Sequence, residues 1–140
     1  MPKKITIFTV GKVKEPYLQS GVLEYEKRLK PYCELEIVSL KDRGMEKEAL
    51  EISERMDSNT YILDEKGKEI DSLEFSKLLF GREKISFVIG GPDGVLPELK
   101  KKAKLISLSK MTFTHEMCAL FLLEQIYRGF MILGGKKYHR

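Results

Sequence analysis

A turn rich in glycine follows a fully apolar run in the second half of the chain. The turn, residues 90–94, reads GGPDG, and the run before it, residues 85–89, reads ISFVI. Glycine lets a backbone approach a ligand closely, and Gly-Pro-Asp-Gly favours a β-turn. A tight connection between a strand and a helix explains the same residues without a ligand. The neighbouring Gly90 and Gly91, outside the turn centre, favour a ligand-binding loop.

A second loop of unusual composition, residues 108–114 (LSKMTFT), comes after another short predicted strand. A connection exposed to water would be mostly polar, whereas this one alternates apolar and polar side chains. Such side chains beside a glycine-rich backbone suit a flat heterocycle held by main-chain hydrogen bonds. Ligands of open α/β sheets bind beyond the carboxyl ends of the strands. The glycine turn, this loop and the end of the predicted strand at residues 60–64 therefore form the candidate site.

The chain ends in a basic segment, residues 134–140 (GGKKYHR), which also contains a tyrosine and a histidine. Lysine and arginine side chains pair with phosphates, Tyr138 can stack on a base, and the imidazole of His139 is a residue type that serves in proton transfer. The formal net charge of +4 is compatible with a polyanionic partner. A frayed basic terminus explains the same composition, but these are the residue types that an RNA-contacting segment uses.

Several common sites are excluded by spacing. The chain has neither the G-x-G-x-x-G fingerprint nor the G-x-x-x-x-G-K-[ST] loop. One histidine and one cysteine at residues 115–118 (HEMC) cannot close a zinc site, so we predict no metal. Glu116 is expected only to favour the dipole of its own helix. Asp64 and Lys110 resemble the aspartate and lysine of a receiver domain, but Gly11 and Lys12 stand where that domain has acidic residues.

Apolar runs alternate with amphipathic stretches along the chain, which predicts strands separated by helices. This order favours an α/β fold with a mainly parallel five-stranded sheet and helices on both faces, in a single domain over residues 1–140. We predict a turn at residues 65–68. The predicted strands are residues 4–10, 33–40, 60–64, 85–89 and 105–108, and the predicted helices are residues 17–29, 45–56, 72–80, 97–103 and 115–133.

Cysteine usage and hydropathy predict the compartment. Cys33 and Cys118 form no paired motif, which favours reduced thiols in a cytosol. The apolar run after the basic first residues is too short for a signal peptide. The most apolar segment, residues 117–131, contains Glu124 and Arg128, which argues against a membrane span. We therefore expect a cytoplasmic protein without membrane contacts.

The last predicted helix has no polar face over residues 117–123 (MCALFLL). A helix that is apolar all round is buried on all sides. A central core helix would satisfy this requirement, but a five-stranded sheet is too small to cover one completely. We favour a homodimer, because two-fold pairs dominate among oligomers.

Four ordered motifs resemble one family, the bacterial RlmH-type methyltransferases of the SPOUT class. The motifs are FVIGGPDG (residues 87–94), LSKMTF (108–113), HEMCALFLLEQIYRGFMIL (115–133) and YHR (138–140). KITIFTVGK near the start and YILDEKGK in the middle are also similar, so the resemblance covers the whole chain.

The resemblance implies a C-terminal trefoil knot and a homodimer that uses S-adenosylmethionine without a metal. It implies methylation of N3 of a pseudouridine, position 1915 in helix 69 of 23S rRNA, in the large subunit or the assembled ribosome. It places the cofactor contacts on the three segments identified above. These contacts would be Leu63, Gly90, Leu108, Ser109, Lys110, Met111, Thr112 and Phe113.

In that family the C-terminal tail of one subunit is thought to complete the site of the other. The resemblance thus implies a catalytic role for Tyr138, His139 and Arg140. Since N3–H of a uracil ring is a weak acid, a base would help it to lose its proton. Our hypothesis is that His139 accepts this proton and that Arg140 or Lys137 stabilises the developing anion.

Two other classes of function stay open at this point. A catalytically idle RNA-binding or ribosome-associated module shares the basic tail but would not bind the cofactor. A small nucleotide-binding or signalling α/β protein would hold a phosphate-bearing ligand at a helix N-terminus. Calorimetry with S-adenosylmethionine distinguishes the methyltransferase from both.

Overall fold

The computed structural model describes residues 2, 4–40, 44–91, 94–95 and 97–139, apart from the side chain at position 45. Strands and helices alternate throughout these residues. The elements are β1 (Lys4–Val10), α1 (Pro16–Leu29), β2 (Glu34–Leu40), α2 (Met45–Arg55), β3 (Thr60–Glu69), α3 (Ser72–Leu79), β4 (Lys84–Ile89), α4 (Pro97–Lys100), β5 (Lys104–Ser107) and α5 (His115–Leu133).

The strands form one sheet in the order β2-β1-β4-β3-β5, and all neighbouring pairs are parallel. This confirms the predicted parallel α/β architecture. Strand β2 lies at one edge of the sheet, and it is only partly buried. Strands β1 and β4 and the first residues of β3 are mostly buried, because both faces of the sheet are covered there.

Helices cover both faces of the sheet. Side chains alternate along each strand, so Ile7 and Phe87 pack on one face with α1, α3 and α5. Phe8 and Val88 pack on the other face, where Ile52 of α2 completes a smaller cluster with α4. The predicted placement of helices on both faces is confirmed.

Strand β3 differs from its prediction. Residues 65–68, predicted as a turn, lie within a strand that continues to Glu69. The pairing of β3 with β5 shifts between Leu63 and Lys68, and both residues pair with Ile106. The residues between them bulge out of the ladder. A Cβ atom on Gly67 would lie 2.9 Å from the backbone nitrogen of Ile106, so only glycine fits where the bulge returns to β5.

Helix α5 has the predicted bounds, His115–Leu133. The hydroxyl oxygen of Thr114 accepts a hydrogen bond from the N–H of Met117 (3.2 Å) and so caps its N-terminus. One face of α5 is buried in the main core, while the side chain of Phe121 is exposed on another face. The homodimer and the knot stay predictions. Within the described residues, no helix is long and apolar enough to cross a membrane.

Candidate active site

A pocket of about 760 Å³ lies at the carboxyl edge of the sheet. Strands β4, β3 and β5 are neighbours, and Leu63 of β3 pairs with Ile89 of β4 and Ile106 of β5. The segments that follow these three paired positions therefore leave the sheet side by side. Residues at the N-terminal ends of α1 and α5 also line the pocket.

The pocket brings together most of the residues predicted to bind the cofactor. Lys110 is exposed and is not among the lining residues found in the described part of the chain. Binding itself stays a prediction for all eight residues. The predicted residues that line the pocket are Leu63, Gly90, Leu108, Ser109, Met111, Thr112 and Phe113.

The glycine turn closes on itself beside the pocket. The N–H of Gly94 donates to the carbonyl oxygen of Gly91 (2.9 Å). A Cβ atom on Gly90 would lie 2.8 Å from the carbonyl carbon of Gly94, so this position needs glycine. Pro92 and Asp93, the centre of the predicted turn, lie outside the described residues.

The loop after β5 is held in place by side-chain hydrogen bonds. The hydroxyl group of Ser107 donates to the carbonyl oxygen of Ser109 (2.7 Å), and the hydroxyl oxygen of Ser109 accepts from the N–H of Met111 (3.0 Å). The hydroxyl group of Thr112 donates to the carboxylate of Glu65 in the β3 bulge. These contacts connect the two loops that form one side of the pocket.

The ring of Phe113 contacts the ring of Phe121 edge to face, with centroids 5.1 Å apart. This contact attaches the end of the loop to α5. A second pocket, of about 420 Å³, lies against α3 and α5 and shares Leu108 and Phe113 with the first.

Asp64 is a lining residue that the sequence analysis assigned to no site. The Nζ atom of Lys100 lies 2.5 Å from Oδ2 of Asp64, and the N–H of Lys66 donates to Oδ1 (2.8 Å). Burial by itself raises the pKa of Asp64, but these two hydrogen bonds outweigh it, so the pKa is below its ordinary value. The carboxylate is therefore charged and fixed at neutral pH.

Glu116 does more than favour the dipole of its own helix. Its Oε1 atom accepts hydrogen bonds from the N–H groups of Glu15 (3.1 Å) and Lys14 (2.6 Å), which lie at the start of α1. These bonds lower the pKa of Glu116. Its carboxylate thus joins the N-terminal ends of α1 and α5 at the rim of the pocket. Sequence patterns could not reveal this contact, because it joins residues about one hundred positions apart.

The C-terminal tail packs on α1 and α5 of its own chain. The ring of Tyr138 meets that of Tyr127 edge to face (4.9 Å), and its hydroxyl group donates to Oε2 of Glu124 (3.3 Å). The Nδ1 atom of His139 lies 3.1 Å from Nη1 of Arg128. In the described residues, neither Tyr138 nor His139 lines either of the two pockets. Arg140 lies outside the described residues.

Electrostatics adds two details to this region. Burial and a hydrogen bond with Tyr25 raise the pKa of Tyr138, so its hydroxyl group stays protonated at neutral pH. A guanidinium group only donates hydrogen bonds, so the Nδ1 atom of His139 is the acceptor in its contact with Arg128. No cluster of three metal-ligating side chains occurs among the residues that the structure describes.

Comparison with known proteins gives consistent matches. The family model described as predicted SPOUT methyltransferase matches residues 3–139. A protein of Clostridium kluyveri is 42% identical over 97% of this chain and 99% of its own length. A protein of Acetivibrio thermocellus is 39% identical over 98% of this chain and 99% of its own length. Both are named ribosomal RNA large subunit methyltransferase H. The first alignment spans 157 positions, more than the 140 residues here, so that relative contains residues that this chain lacks.

A solved structure has a similar fold. It is described as a probable methylase family protein from Haemophilus influenzae, and it matches with a TM-score of 0.61 over 99% of this chain and 71% of that chain. The sequence identity is 11%, so this likeness concerns the fold alone.

Proposed function

We infer the reaction of this chain from its family: it belongs to the SPOUT methyltransferases, and we propose that it transfers a methyl group from S-adenosylmethionine to large-subunit ribosomal RNA. The observation that carries this proposal is the convergence of the segments after β3, β4 and β5 on one pocket. Its volume of about 760 Å³ lies within the roughly 300–1,000 Å³ of small-molecule sites. The names of the two relatives support ribosomal RNA as the acceptor.

The lining of the pocket fits this cofactor. Leu63, Ile89 and Leu108 offer apolar contacts for a flat base, and Asp64 and Glu116 supply fixed carboxylates at two places on the wall. When bound, S-adenosylmethionine supplies a methyl group on a positively charged sulfur. The protein's part is to hold donor and acceptor in line, which supplies much of the acceleration in such displacements.

We propose that the protein acts as a homodimer in which the tail of one subunit completes the pocket of the other. Two observations support this arrangement. The tail residues Tyr138 and His139 pack against α1 and α5 and do not line the pocket of their own chain in its described part. The exposed aromatic ring of Phe121 on α5, next to Phe113, offers an apolar surface to a second copy. A cytoplasmic location and one domain over residues 1–140 complete this proposal.

We propose N3 of the pseudouridine in helix 69 as the methyl acceptor, on the resemblance and on the residue types of the tail. His139 accepts the proton of N3–H, and Arg140 or Lys137 stabilises the anion that forms. The contact with Arg128 occupies Nδ1 of His139, and the neutral ring carries its proton on Nε2. That contact must therefore break before His139 can act as a base, as it would when the tail moves to a partner.

The direct test is incorporation of a labelled methyl group into ribosomes that lack the modification. We expect label in large-subunit RNA, at one pseudouridine of helix 69 when the nucleotide is mapped. The absence of label from both ribosomes and free RNA would overturn the proposed reaction. Label at a different nucleotide would keep the reaction and overturn the position.

A further inference from the structure

Asp64 lies at the point where β3 leaves its regular pairing. Leu63, the residue before it, is the last residue of β3 paired with β4, and the bulge begins directly after it. Asp64 lines the pocket between the segments that follow β3 and β4. Its side chain is only 10% exposed, so a charged group occupies a largely dehydrated place in the wall.

Two contacts fix the carboxylate and leave part of its acceptor capacity unused. Oδ1 accepts from the N–H of Lys66, and Oδ2 accepts from Nζ of Lys100. A carboxylate has about four acceptor sites, two on each oxygen. Among the residues that the structure describes, one site on each oxygen has no other partner, and β3 and α4 hold the two oxygens in fixed positions.

We propose that Asp64 accepts hydrogen bonds from the 2′- and 3′-hydroxyl groups of the ribose of S-adenosylmethionine. This inference rests on the proposed function, since it assigns a contact within the same cofactor pocket. Two neighbouring hydroxyl groups present two donors side by side, which matches two neighbouring acceptor oxygens. The same pairing of a carboxylate with ribose hydroxyl groups serves dinucleotide-binding folds.

The α-ammonium group of the cofactor is another hydrogen-bond donor, but the charge around Asp64 argues against a contact with it. Lys100 already balances the carboxylate at 2.5 Å, so little net charge is left to attract a cation. A hydroxyl donor needs only a free acceptor site. The adenine amino group is also a donor, but a flat base suits the apolar part of the wall, formed by Leu63, Ile89 and Leu108.

Lys100 acts here as a positioning residue. It lies on α4, and its ion pair with Asp64 attaches this helix to β3. It also lowers the cost of keeping the carboxylate charged in the pocket wall. A purely structural role for Asp64, as an anchor of α4, would rest on the same ion pair, and the experiment has to separate the two roles.

The experiment is calorimetric titration of the wild-type protein and the Asp64→Asn variant with two ligands. S-adenosylhomocysteine carries the ribose and the ammonium group, whereas methylthioadenosine keeps the ribose and lacks the amino-acid part. We expect the variant to bind both ligands about 10- to 100-fold more weakly, by the same factor. A loss confined to S-adenosylhomocysteine would assign Asp64 to the ammonium group and overturn the inference.

The 2′-deoxy and 3′-deoxy forms of methylthioadenosine complete a thermodynamic cycle. Each deoxy ligand should bind the wild-type protein about tenfold more weakly than methylthioadenosine does. On Asp64→Asn this penalty should be clearly smaller for at least one of the two deoxy ligands, because asparagine keeps only one, uncharged, acceptor oxygen. Losses that simply add would show that Asp64 and the hydroxyl groups do not interact, which sinks the inference. If the variant does not fold, the deoxy ligands still show whether the wild-type protein binds the two hydroxyl groups, and the absence of any penalty would overturn the inference.

Two further variants serve as controls. Lys100→Gln breaks the ion pair and keeps the carboxylate, so it should retain the penalty for each missing hydroxyl group. Two results together would contradict the roles proposed for Asp64 and Lys100. The Lys100→Gln variant would lose the penalty for a missing hydroxyl group, and the Asp64→Asn variant would be as thermally stable as the wild-type protein. Glu36→Gln removes a carboxylate of the edge strand β2 and should leave every affinity unchanged.

A wild-type protein that binds neither ligand overturns the proposed function itself, whereas normal binding with an additive cycle overturns only the role of Asp64.

Discussion

His139 and Arg128 illustrate how a tail residue can be held in an inactive arrangement. The imidazole ring uses Nδ1 as an acceptor for the guanidinium group of Arg128, and it cannot use the same atom for a substrate proton. The proposed role of His139 in proton transfer thus concerns a state in which the tail has left its own α5.

His139→Ala should lower the turnover number of methyl transfer by about 100-fold or more, the usual size of a general-base contribution. The affinity for S-adenosylhomocysteine should change little, because the proposed contact of His139 is with N3–H of the acceptor base and not with the cofactor. Single-turnover methylation and calorimetry measure the two quantities. Equal losses in both would contradict a role in proton transfer.

Glu116 should contribute stability that depends on pH. Its pKa lies below the ordinary value of 4.5, because the N–H groups of Glu15 and Lys14 bond to the charged form. When folding lowers the pKa of a carboxyl group, that group stabilises the folded protein at pH values above its ordinary pKa. The stabilisation is lost as the pH falls through the pKa of the group in the folded state.

Glu116→Gln should therefore unfold more easily than the wild-type protein at pH 7, by about 0.5–1 kcal/mol for so exposed a group. The difference should shrink as the pH falls from about 5 towards about 3. Urea unfolding at a series of pH values measures it. A difference that stays constant or grows on acidification would show that the charge of Glu116 contributes nothing.

At the scale of elements, the bulge of β3 places three lining residues, Asp64, Glu65 and Lys66, in the pocket wall. The bulge depends on Gly67, where a Cβ atom would meet the backbone of β5. Gly21 of α1 offers a matched comparison, since a Cβ atom there would also lie 2.9 Å from its neighbour, but that neighbour is the flexible end of the Leu120 side chain.

Gly67→Ala should lower the free energy of unfolding by about 1–3 kcal/mol, the usual cost of overpacking against a rigid neighbour. Gly21→Ala should cost less, because Leu120 can move and alanine favours a helix by about 1 kcal/mol. Urea unfolding of both variants checks this order. If Gly21→Ala lowered the free energy of unfolding more than Gly67→Ala, that result would contradict the close approach of the bulge to β5.

Elements with strong local signals could be predicted from the sequence, and contacts between distant segments could not. The bounds of β1 and α5 agree with their predictions because an apolar run and a capped helix are local patterns. The sequence EKGK at residues 65–68 is typical of a turn, and only pairing with β5 makes it part of a strand. The ion pair of Asp64 with Lys100 and the contact of Glu116 with the start of α1 join segments far apart in the chain.

At the scale of the whole molecule, the described tail residues Tyr138 and His139 do not line the pocket of their own chain. The pocket lies at the carboxyl edge of the sheet, whereas Tyr138 packs between Tyr25 and Tyr127 on the helical layer. A second copy of the chain would bring a tail to each pocket. A mixture of two inactive variants tests this proposal directly.

His139→Ala loses the proposed base. Gly90→Val should displace the glycine turn, because a Cβ atom at this position would lie 2.8 Å from the carbonyl carbon of Gly94, and so prevent cofactor binding. In a mixed dimer, one site combines the intact pocket of the first variant with the intact tail of the second. We expect the mixture to recover up to about one quarter of the wild-type rate if subunits exchange freely, since half of the dimers then hold one complete site of two. A mixture as inactive as its components, with exchange verified by native mass spectrometry, would contradict a shared site.

We propose that the segments after β3, β4 and β5 together hold the methyl donor. A crystal structure of the protein with S-adenosylhomocysteine tests it most directly. We expect ligand density in the pocket, in contact with Leu63, Gly90 and the loop at residues 108–113. Ligand density at any other place on the molecule, with this pocket filled only by water, would contradict it.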